Sequence, residues 1–234
     1  MRFLVTAGNT REMIDRVRDW GNIFTGNTGR SIAEALTSLG RVDLLTSNAQ
    51  HADQLLATRH IEVTVFRSHT DLRRLLAEKV TAAPHYDAIF MTAAVADYVP
   101  TAVYSVLEQH PLADGREAWV VQNVSAGKIK SNFDSIAVLG SRTQKLVDLF
   151  RTDWNYRGLL VKFKLEVGLS EDQLIAVAQV SRRASHADYI VANTLEMVAG
   201  ENAGAWLLGD EVCERVPRHA LAARLVQLIP ASAP

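Results

Sequence analysis

Phe3-Leu4-Val5-Thr6-Ala7-Gly8-Asn9-Thr10-Arg11 sets the reading of the rest of the chain. A short apolar run, Phe3 to Thr6, gives way at once to small residues. Small residues there let backbone N–H groups approach an anion, which a β-branched run would prevent. Runs of the same kind recur at Val42 to Thr46, Ile61 to Phe66, Asp87 to Thr92, Leu159 to Lys164 and Tyr189 to Asn193. Stretches with helical period lie between several of them. Ser31 to Leu39 places Ile32, Leu36 and Leu39 on one stripe, and Asp71 to Val80 does so with Leu72, Leu75, Leu76 and Val80. Gln144 to Arg151 and Ser170 to Ala184 follow the same rule, and Ser170 with Gln173 makes a capping-box pattern. This alternation predicts an α/β fold with a mostly parallel sheet covered on both faces. Right-handed crossovers then bring the C-terminal strand ends to one edge, where ligands bind.

The stretch Tyr98 to Ser141 breaks the alternation. It holds two strand-like pieces, Ala102 to Leu107 and Ala118 to Val124, and the cluster Lys128-Ile129-Lys130. An insert after a central strand sits beside the ligand crevice, which suits a flap or a dimerisation arm. The expectation is therefore one Rossmann-like domain over residues 1–234 with an insert at about 98–141. The tail Pro230 to Pro234 is expected to fray.

Composition excludes several function classes. The chain is 48% hydrophobic and 22% charged with a net charge of −1, so no basic excess points to nucleic acid or an anionic membrane. No apolar run approaches the roughly 20 residues of a membrane span. Cys213 is the only cysteine, which rules out an intramolecular disulfide and suits a cytoplasmic address. The opening residues run into a strand pattern, not a signal peptide.

Four segments carry candidate chemistry. The small-residue turn containing Gly8 is the first. The second is Arg18-Asp19-Trp20-Gly21-Asn22-Ile23-Phe24-Thr25-Gly26-Asn27-Thr28-Gly29, which opens the first amphipathic helix. Glycines and hydroxyl residues at a helix start make an anion cradle, because orphan N–H groups and the helix dipole converge there. The alternative is a loop capped by Asn27 or Thr28, but about twenty residues between strand and helix exceed what packing requires. The third is Met91-Thr92-Ala93-Ala94-Val95-Ala96-Asp97-Tyr98. Its small residues clear room for a flat ligand, with Asp97 placed to accept ribose hydroxyls; the alternative is a helix start capped by Asp97. The fourth is the pair Lys128 and Lys130, able to neutralise a triphosphate or simply to be a solvated basic turn.

Six stretches in order, VTAGNTRE-x-ID-x-VR, GN-x-x-TG-x-x-G, AAVADY-x-P, KIKS, F-x-LE and D-x-IVAN, resemble phosphopantothenoylcysteine synthetase, the synthetase domain of the DNA/pantothenate metabolism flavoprotein family. The resemblance runs from residue 3 to about 195, and Trp206 to Ile229 fits it more loosely. It implies a ligase of coenzyme A biosynthesis that joins 4′-phosphopantothenate to cysteine. An acyl-nucleotidylate would be made with CTP or ATP and Mg²⁺, without flavin. No flavin domain precedes these motifs, so a stand-alone synthetase is expected. Carried over by position, Asn22 would engage the acyl-nucleotidylate and Lys128 the triphosphate, with Lys130 beside it. Asp97 would hold the ribose, Thr92, Ala93 and Ala94 would read base and substrate, Gly8 would face the nucleotide, and Phe163 would pack on the base. Arg18, Thr25 and Gly26 would lie at the substrate. Small-molecule substrates and a homodimer with shared sites are implied, with no nucleic acid or membrane partner.

The chain departs from the family pattern at named places. Phe24 to Gly29 stands where S-S-G-K-M-G is usual, so Asn27 replaces a lysine; Asn9 replaces a glycine, and Ser131 follows KIK where a base is common. Arg182 and Arg183 match the basic residues before D-x-IVAN only loosely. A paralogous ligase acting on another carboxylate, or a non-catalytic nucleotide-binding protein, are the alternatives. A nicotinamide-dependent oxidoreductase is disfavoured, because no tyrosine is followed by lysine in the Tyr-x-x-x-Lys spacing and Thr46-Ser47-Asn48 lacks the acidic residue expected after the second strand.

Overall fold

The computed structural model describes residues 1–55 and 57–230, so residues 231–234 of the expected frayed tail lie outside the described residues. The chain runs β1 (Arg2–Ala7), β2 (Arg11–Met13), β3 (Asp19–Gly21), α1 (Asn27–Leu36), β4 (Arg41–Thr46), α2 (Ala49–Leu55) and β5 (Ile61–Val65). It continues through α3 (His69–Thr81), β6 (Ala88–Met91), β7 (Tyr98–Pro111), β8 (Glu117–Asn123), β9 (Ile136–Arg142) and α4 (Leu146–Thr152). The last part comprises β10 (Leu159–Glu166), α5 (Glu171–Ala184), β11 (Tyr189–Thr194), β12 (Gly204–Leu208), β13 (Cys213–Pro217) and α6 (Leu221–Val226).

Eight strands form the main sheet in the order β13-β12-β11-β10-β6-β1-β4-β5. The six strands from β11 to β5 pair in parallel, and β12 and β13 add an antiparallel edge. From β1 the chain steps to β4 and β5 on one side, then returns through α3 to β6 on the other. The strand order reverses between β1 and β6, the kind of position where open α/β sheets bind ligands.

The buried runs explain why these strands sit centrally. Phe3, Leu4 and Val5 of β1 and Ala88, Ile89 and Phe90 of β6 are fully buried, as parallel strands covered on both faces require. Phe3, Val5 and Phe90 pack with Ile32, Leu36 and Leu225, which places α1 and α6 on one face. Leu4, Ile89 and Leu160 pack with Leu72, Leu76, Leu149 and Phe150, which places α3 and α4 on the other, and Leu174 and Ala178 of α5 extend that face. The expected capping box of α5 is present, with Ser170 Oγ and Gln173 exchanging hydrogen bonds with each other's backbone.

The insert is a separate three-stranded antiparallel sheet, β8-β7-β9, not the two strands expected from the sequence. Its root is pinned by the small hairpin β2-β3: Trp20 Nε1 donates to the Tyr98 carbonyl at 3.1 Å. The same hairpin is tied to the helical layer by Glu12, whose buried carboxylate accepts the His69 N–H at 2.6 Å at the start of α3.

Two local features carry predictions. Lys162, in the middle of β10, is only 7% exposed and donates to the Ser181 carbonyl and to the Ser181 and Ser185 hydroxyls at 2.6–3.1 Å. Burial pushes its ammonium down to about 8 from an ordinary 10.5. Below pH 8 both folded and unfolded chains carry the proton and the cost of burying the charge is present in full. Between the two values the unfolded chain binds more protons, so this site makes stability rise with pH, by about 3 kcal/mol in total. Lys162→Met is expected to flatten that rise in denaturant titrations at pH 7, 8.5 and 10; an unchanged slope contradicts it. Gly26 has φ 85°, and a Cβ there would strike the Gly8 amide nitrogen and come 2.8 Å from its Cα. Gly26→Ala is expected to cost about 2–4 kcal/mol by denaturant unfolding.

Candidate functional site

A cavity of about 220 Å³ opens at the C-terminal ends of β1, β6, β10 and β11. One wall is the loop Phe24-Thr25-Gly26-Asn27-Thr28-Gly29 where α1 begins. The helix has Gly26 as N-cap in a left-handed conformation and no side-chain cap, which disposes of the Asn27 or Thr28 cap as an alternative. Its first-turn N–H groups therefore face the cavity without a side chain to satisfy them. The loop reaches this position because glycines let backbone touch backbone. A Cβ on Gly29 would lie 2.8 Å from Ala7 Cβ and from the Thr6 carbonyl.

The opposite wall is Thr92-Ala93-Ala94. It is fixed to the end of β1 by a ladder that continues past the regular strands. Ala93 N–H donates to Thr6 Oγ1 at 3.0 Å, Ala94 N–H to the Gly8 carbonyl at 2.8 Å, and Thr10 N–H to the Ala94 carbonyl at 3.1 Å. Thr92 Oγ1 donates to the Thr6 carbonyl. The segment after β6 is thus an extended continuation of the sheet edge, not a helix start, and Asp97 caps no helix. Ala96 N–H donates to Thr10 Oγ1 at 2.8 Å, and the Asp97 carbonyl accepts from Thr143 N–H at 2.9 Å, leaving the Asp97 carboxylate exposed beyond the cavity wall.

Phe163 and Asn193 close the third side from β10 and β11. Phe163 packs partly into the core, so its ring is a firm platform. Asn193 ends the last parallel strand, inside the quoted D-x-IVAN stretch, and was not singled out by sequence reasoning. Its position at a parallel strand's C-terminal end was the available signal. Lys164, Leu165 and Val191 join Phe163 and Asn193 there, and Met197, Val198, Gly204, Ala205, Arg218 and Leu221 complete the wall. Met197 and Val198 come from the turn after β11, Gly204 and Ala205 from the start of β12, and Arg218 and Leu221 from the turn into α6, for which the sequence offered no cue. Arg218 and Asn27 also border an adjoining groove of about 700 Å³ between α1 and α6.

Of the expected site residues, Gly8, Thr25, Gly26, Thr92, Ala93, Ala94 and Phe163 line the cavity. Asn22 stands at its rim, with its Nδ2 donating to the Ala94 carbonyl at 3.3 Å. Asn9, the residue standing in place of glycine, holds that loop: its amide donates to the Asn22 carbonyl, while Ser47 Oγ donates to Asn9 Oδ1 at 3.2 Å. Behind the glycine loop, His51 is buried against Thr46 Oγ1 at 3.1 Å; burial, then the Arg30 charge, lower its pKa and favour the neutral ring.

Arg18, Lys128 and Lys130 form a second group away from the cavity wall. Arg18 is engaged by Asp15 and by the Ile129 carbonyl at 2.6 Å, and both lysines are exposed on the turn around buried Ile129. Among the described residues, no group of three or more His, Cys, Asp or Glu is placed to hold a metal. No acidic residue lines the cavity.

Comparison with known proteins places this geometry. Residues 1–107 match the DNA/pantothenate metabolism flavoprotein C-terminal domain. Over 217 residues, 93% of the chain, it is 30% identical to the Coenzyme A biosynthesis bifunctional protein CoaBC of Thermococcus kodakarensis, and that match covers 47% of the relative. The chain spans about half the length of the curated relatives it matches, 47% of this one and 51% of the Mycobacterium bovis protein. The crystal structure of the DNA/pantothenate metabolism flavoprotein from Streptococcus pneumoniae superposes with a TM-score of 0.80 at 28% identity, covering 98% of both chains. A Cab2 variant in complex with phosphopantothenate-cysteine shares the fold at 14% identity, with a TM-score of 0.66 over 97% of this chain and 85% of that one. These likenesses agree with the resemblance that the chain's own motifs carry.

Proposed function

We propose that the chain is a phosphopantothenate–cysteine ligase of coenzyme A biosynthesis. The observation that carries the reading is the backbone-lined cavity between the α1 loop and Thr92-Ala93-Ala94, with the Asn22 amide held at its rim. Relatives named for coenzyme A biosynthesis and the phosphopantothenate-cysteine complex of the Cab2 variant support the substrate class.

In this reading a nucleoside triphosphate, CTP or ATP, enters with its base against Phe163 and its phosphates toward Gly8 and the first-turn N–H groups of α1. A carboxylate oxygen of 4′-phosphopantothenate attacks the α-phosphorus, and the bond to pyrophosphate breaks. The cysteine amine nitrogen then attacks the acyl carbon, the bond to the nucleoside monophosphate breaks, and the amine proton passes to solvent. The first step is needed because a free carboxylate is inert to amines. It is driven by positioning and charge neutralisation, not by covalent help from the protein. Thr92, Ala93 and Ala94 shape the base and substrate pocket, Asp97 serves the ribose, and Thr25 and Gly26 border the substrate. Asn22 orients the acyl-nucleotidylate, while Lys128 and Lys130 meet the triphosphate. The residues present do not fit a protein-held metal, so Mg²⁺ belongs to the triphosphate as co-substrate, with phosphate oxygens and water as its ligands.

Two copies of the chain make the working unit in this reading, and the cytoplasm is where it acts. Every residue of β8 is exposed, and Leu107, Trp119, Val120 and Leu139 present an apolar surface on the insert. Such a surface on a long edge strand calls for a cover. In this reading Arg18, held by Asp15 and the Ile129 carbonyl, serves the substrate in a site shared between the two copies.

Three outcomes are expected. With 4′-phosphopantothenate, cysteine and CTP or ATP, Asn22→Asp and Lys128→Gln should keep the fold and lower amide formation by about 10²-fold or more. Wild-type turnover in both would sink the assignment. Pyrophosphate release without cysteine isolates the first half-reaction, and a panel of carboxylates tests whether Asn27 in place of lysine has changed the acid accepted. Asp97→Ala should raise the dissociation constant of the triphosphate; an unchanged constant contradicts the ribose role. In sedimentation at micromolar concentration the 25.8 kDa chain should run at twice its mass, and a monomer contradicts the dimer.

A further inference from the structure

Asp15 belongs to none of the groups given a role so far, yet it is the most heavily hydrogen-bonded carboxylate near the site. Its side chain has 0% exposure. Oδ1 accepts the Val17 and Arg18 N–H groups at 2.7 and 2.8 Å. Oδ2 accepts Arg18 Nε and Nη2 at 3.0 and 2.7 Å. Oδ2 also accepts the N–H of Ile129, 114 residues further along, at 3.1 Å. Two further bonds join the same two loops: Arg18 Nη2 donates to the Ile129 carbonyl at 2.6 Å, and Arg16 N–H to the Gly127 carbonyl at 3.0 Å.

The turn so held has no regular structure of its own. Residues 124–135, between β8 and β9, contain no helix or strand, so neither ladder nor helix fixes Lys128 and Lys130 in space. Ile129 is 2% exposed while the lysines on either side of it are exposed. One buried peptide, clamped at its N–H and its carbonyl, therefore sets where both ammonium groups can reach.

We propose that Asp15 is a positioning residue for the basic turn, clamping Ile129 so that Lys128 and Lys130 are held at a fixed distance from the mouth of the cavity. The carboxylate's own charge is met by Arg18 within the cluster, so the clamp adds no anion to compete for the lysines. The Ile129 N–H is also the largest influence holding this carboxyl well below the usual range, so the clamp stays ionised wherever ordinary carboxylates titrate. A purely local role, closing the turn at Val17 and Arg18, would need neither the Ile129 N–H nor its carbonyl.

The inference rests on the ligase reading, in which Lys128 meets the triphosphate. The test compares Asp15→Asn, Lys128→Gln, the double-lysine variant Lys128→Gln with Lys130→Gln, and that variant with Asp15→Asn added, each checked for fold by thermal melting. Asp15→Asn keeps the shape but turns one oxygen into a donor facing N–H groups. It is expected to lower kcat/KM for the triphosphate by up to about 100-fold while leaving KM for cysteine near wild type. Asp15→Asn added to the double-lysine variant should cost nothing further, because lysines that are gone cannot be misplaced. Full additivity would show that Asp15 acts through something other than the turn and would overturn the inference. So would wild-type turnover of Asp15→Asn beside an impaired Lys128→Gln. Wild-type turnover of Lys128→Gln itself would instead overturn the ligase reading and take the catalytic half of the inference with it. Should Asp15→Asn not fold, amide exchange in the unaltered protein decides. An Ile129 N–H protected about 10²-fold or more over those of Lys128 and Lys130 supports the clamp, and equal exchange at the three overturns it.

Discussion

The site depends on one close approach: the start of α1 lies against the end of β1 with no side chain from Gly26 or Gly29 between them. Gly26 and Gly29 make it possible, since a side chain at Gly26 would meet the Gly8 backbone and one at Gly29 the Thr92 hydroxyl, the Ala7 Cβ and the Thr6 carbonyl. The approach does three things together. It aims the uncapped N–H groups of α1 into the cavity, it leaves Gly8 exposed to that cavity, and it seats Ile32, Ala33 and Leu36 on the core face of the sheet. Helix packing and ligand geometry are therefore one constraint. A substitution that loosens the helix also spoils the cradle.

Much of this was legible because parallel strands are written as continuous apolar runs. The six runs read from the sequence are the six parallel strands, with ends that differ by one or two residues. The capping box at Ser170 was equally plain, since its signal is local. What escaped lacks a local signature. The strands β2 and β3 are three residues each and exist because Arg11–Met13 can pair with Asp19–Gly21 and seat Trp20 on the insert. β9 pairs with β7 at a separation of more than thirty residues, and Gly140 interrupts its pattern beside the Trp20 ring. The edge pair β12-β13 is fixed by its neighbour β11, not by its own alternation.

The site divides along the same line. Residues that line the cavity through their backbone or their smallness, Gly8, Gly26, Ala93 and Ala94, were readable because small residues cluster there at strand and helix ends. Residues that close the cavity from the far edge, such as Arg218 and Leu221, were not, because their place depends on the antiparallel strands that deliver them. Lys162 shows the limit in the other direction. Its strand reads as apolar, and only the structure shows a lysine buried in it, satisfied by two serines one helical turn apart on α5.

Charge explains why the site has two parts. The cavity wall is mostly main chain and apolar side chains and holds no carboxylate, which suits a flat base; of its two charged side chains, Lys164 is paired with Glu166 and Arg218 donates to the Val198 carbonyl. Further full charges, those of Lys128 and Lys130, sit exposed on a turn without secondary structure. A lysine buried within the sheet loses part of its hold on a proton, as Lys162 does on the face opposite the cavity. Carrying the ammonium groups on an exposed turn avoids that loss, and the buried Ile129 peptide between them supplies the fixity that exposure would otherwise remove.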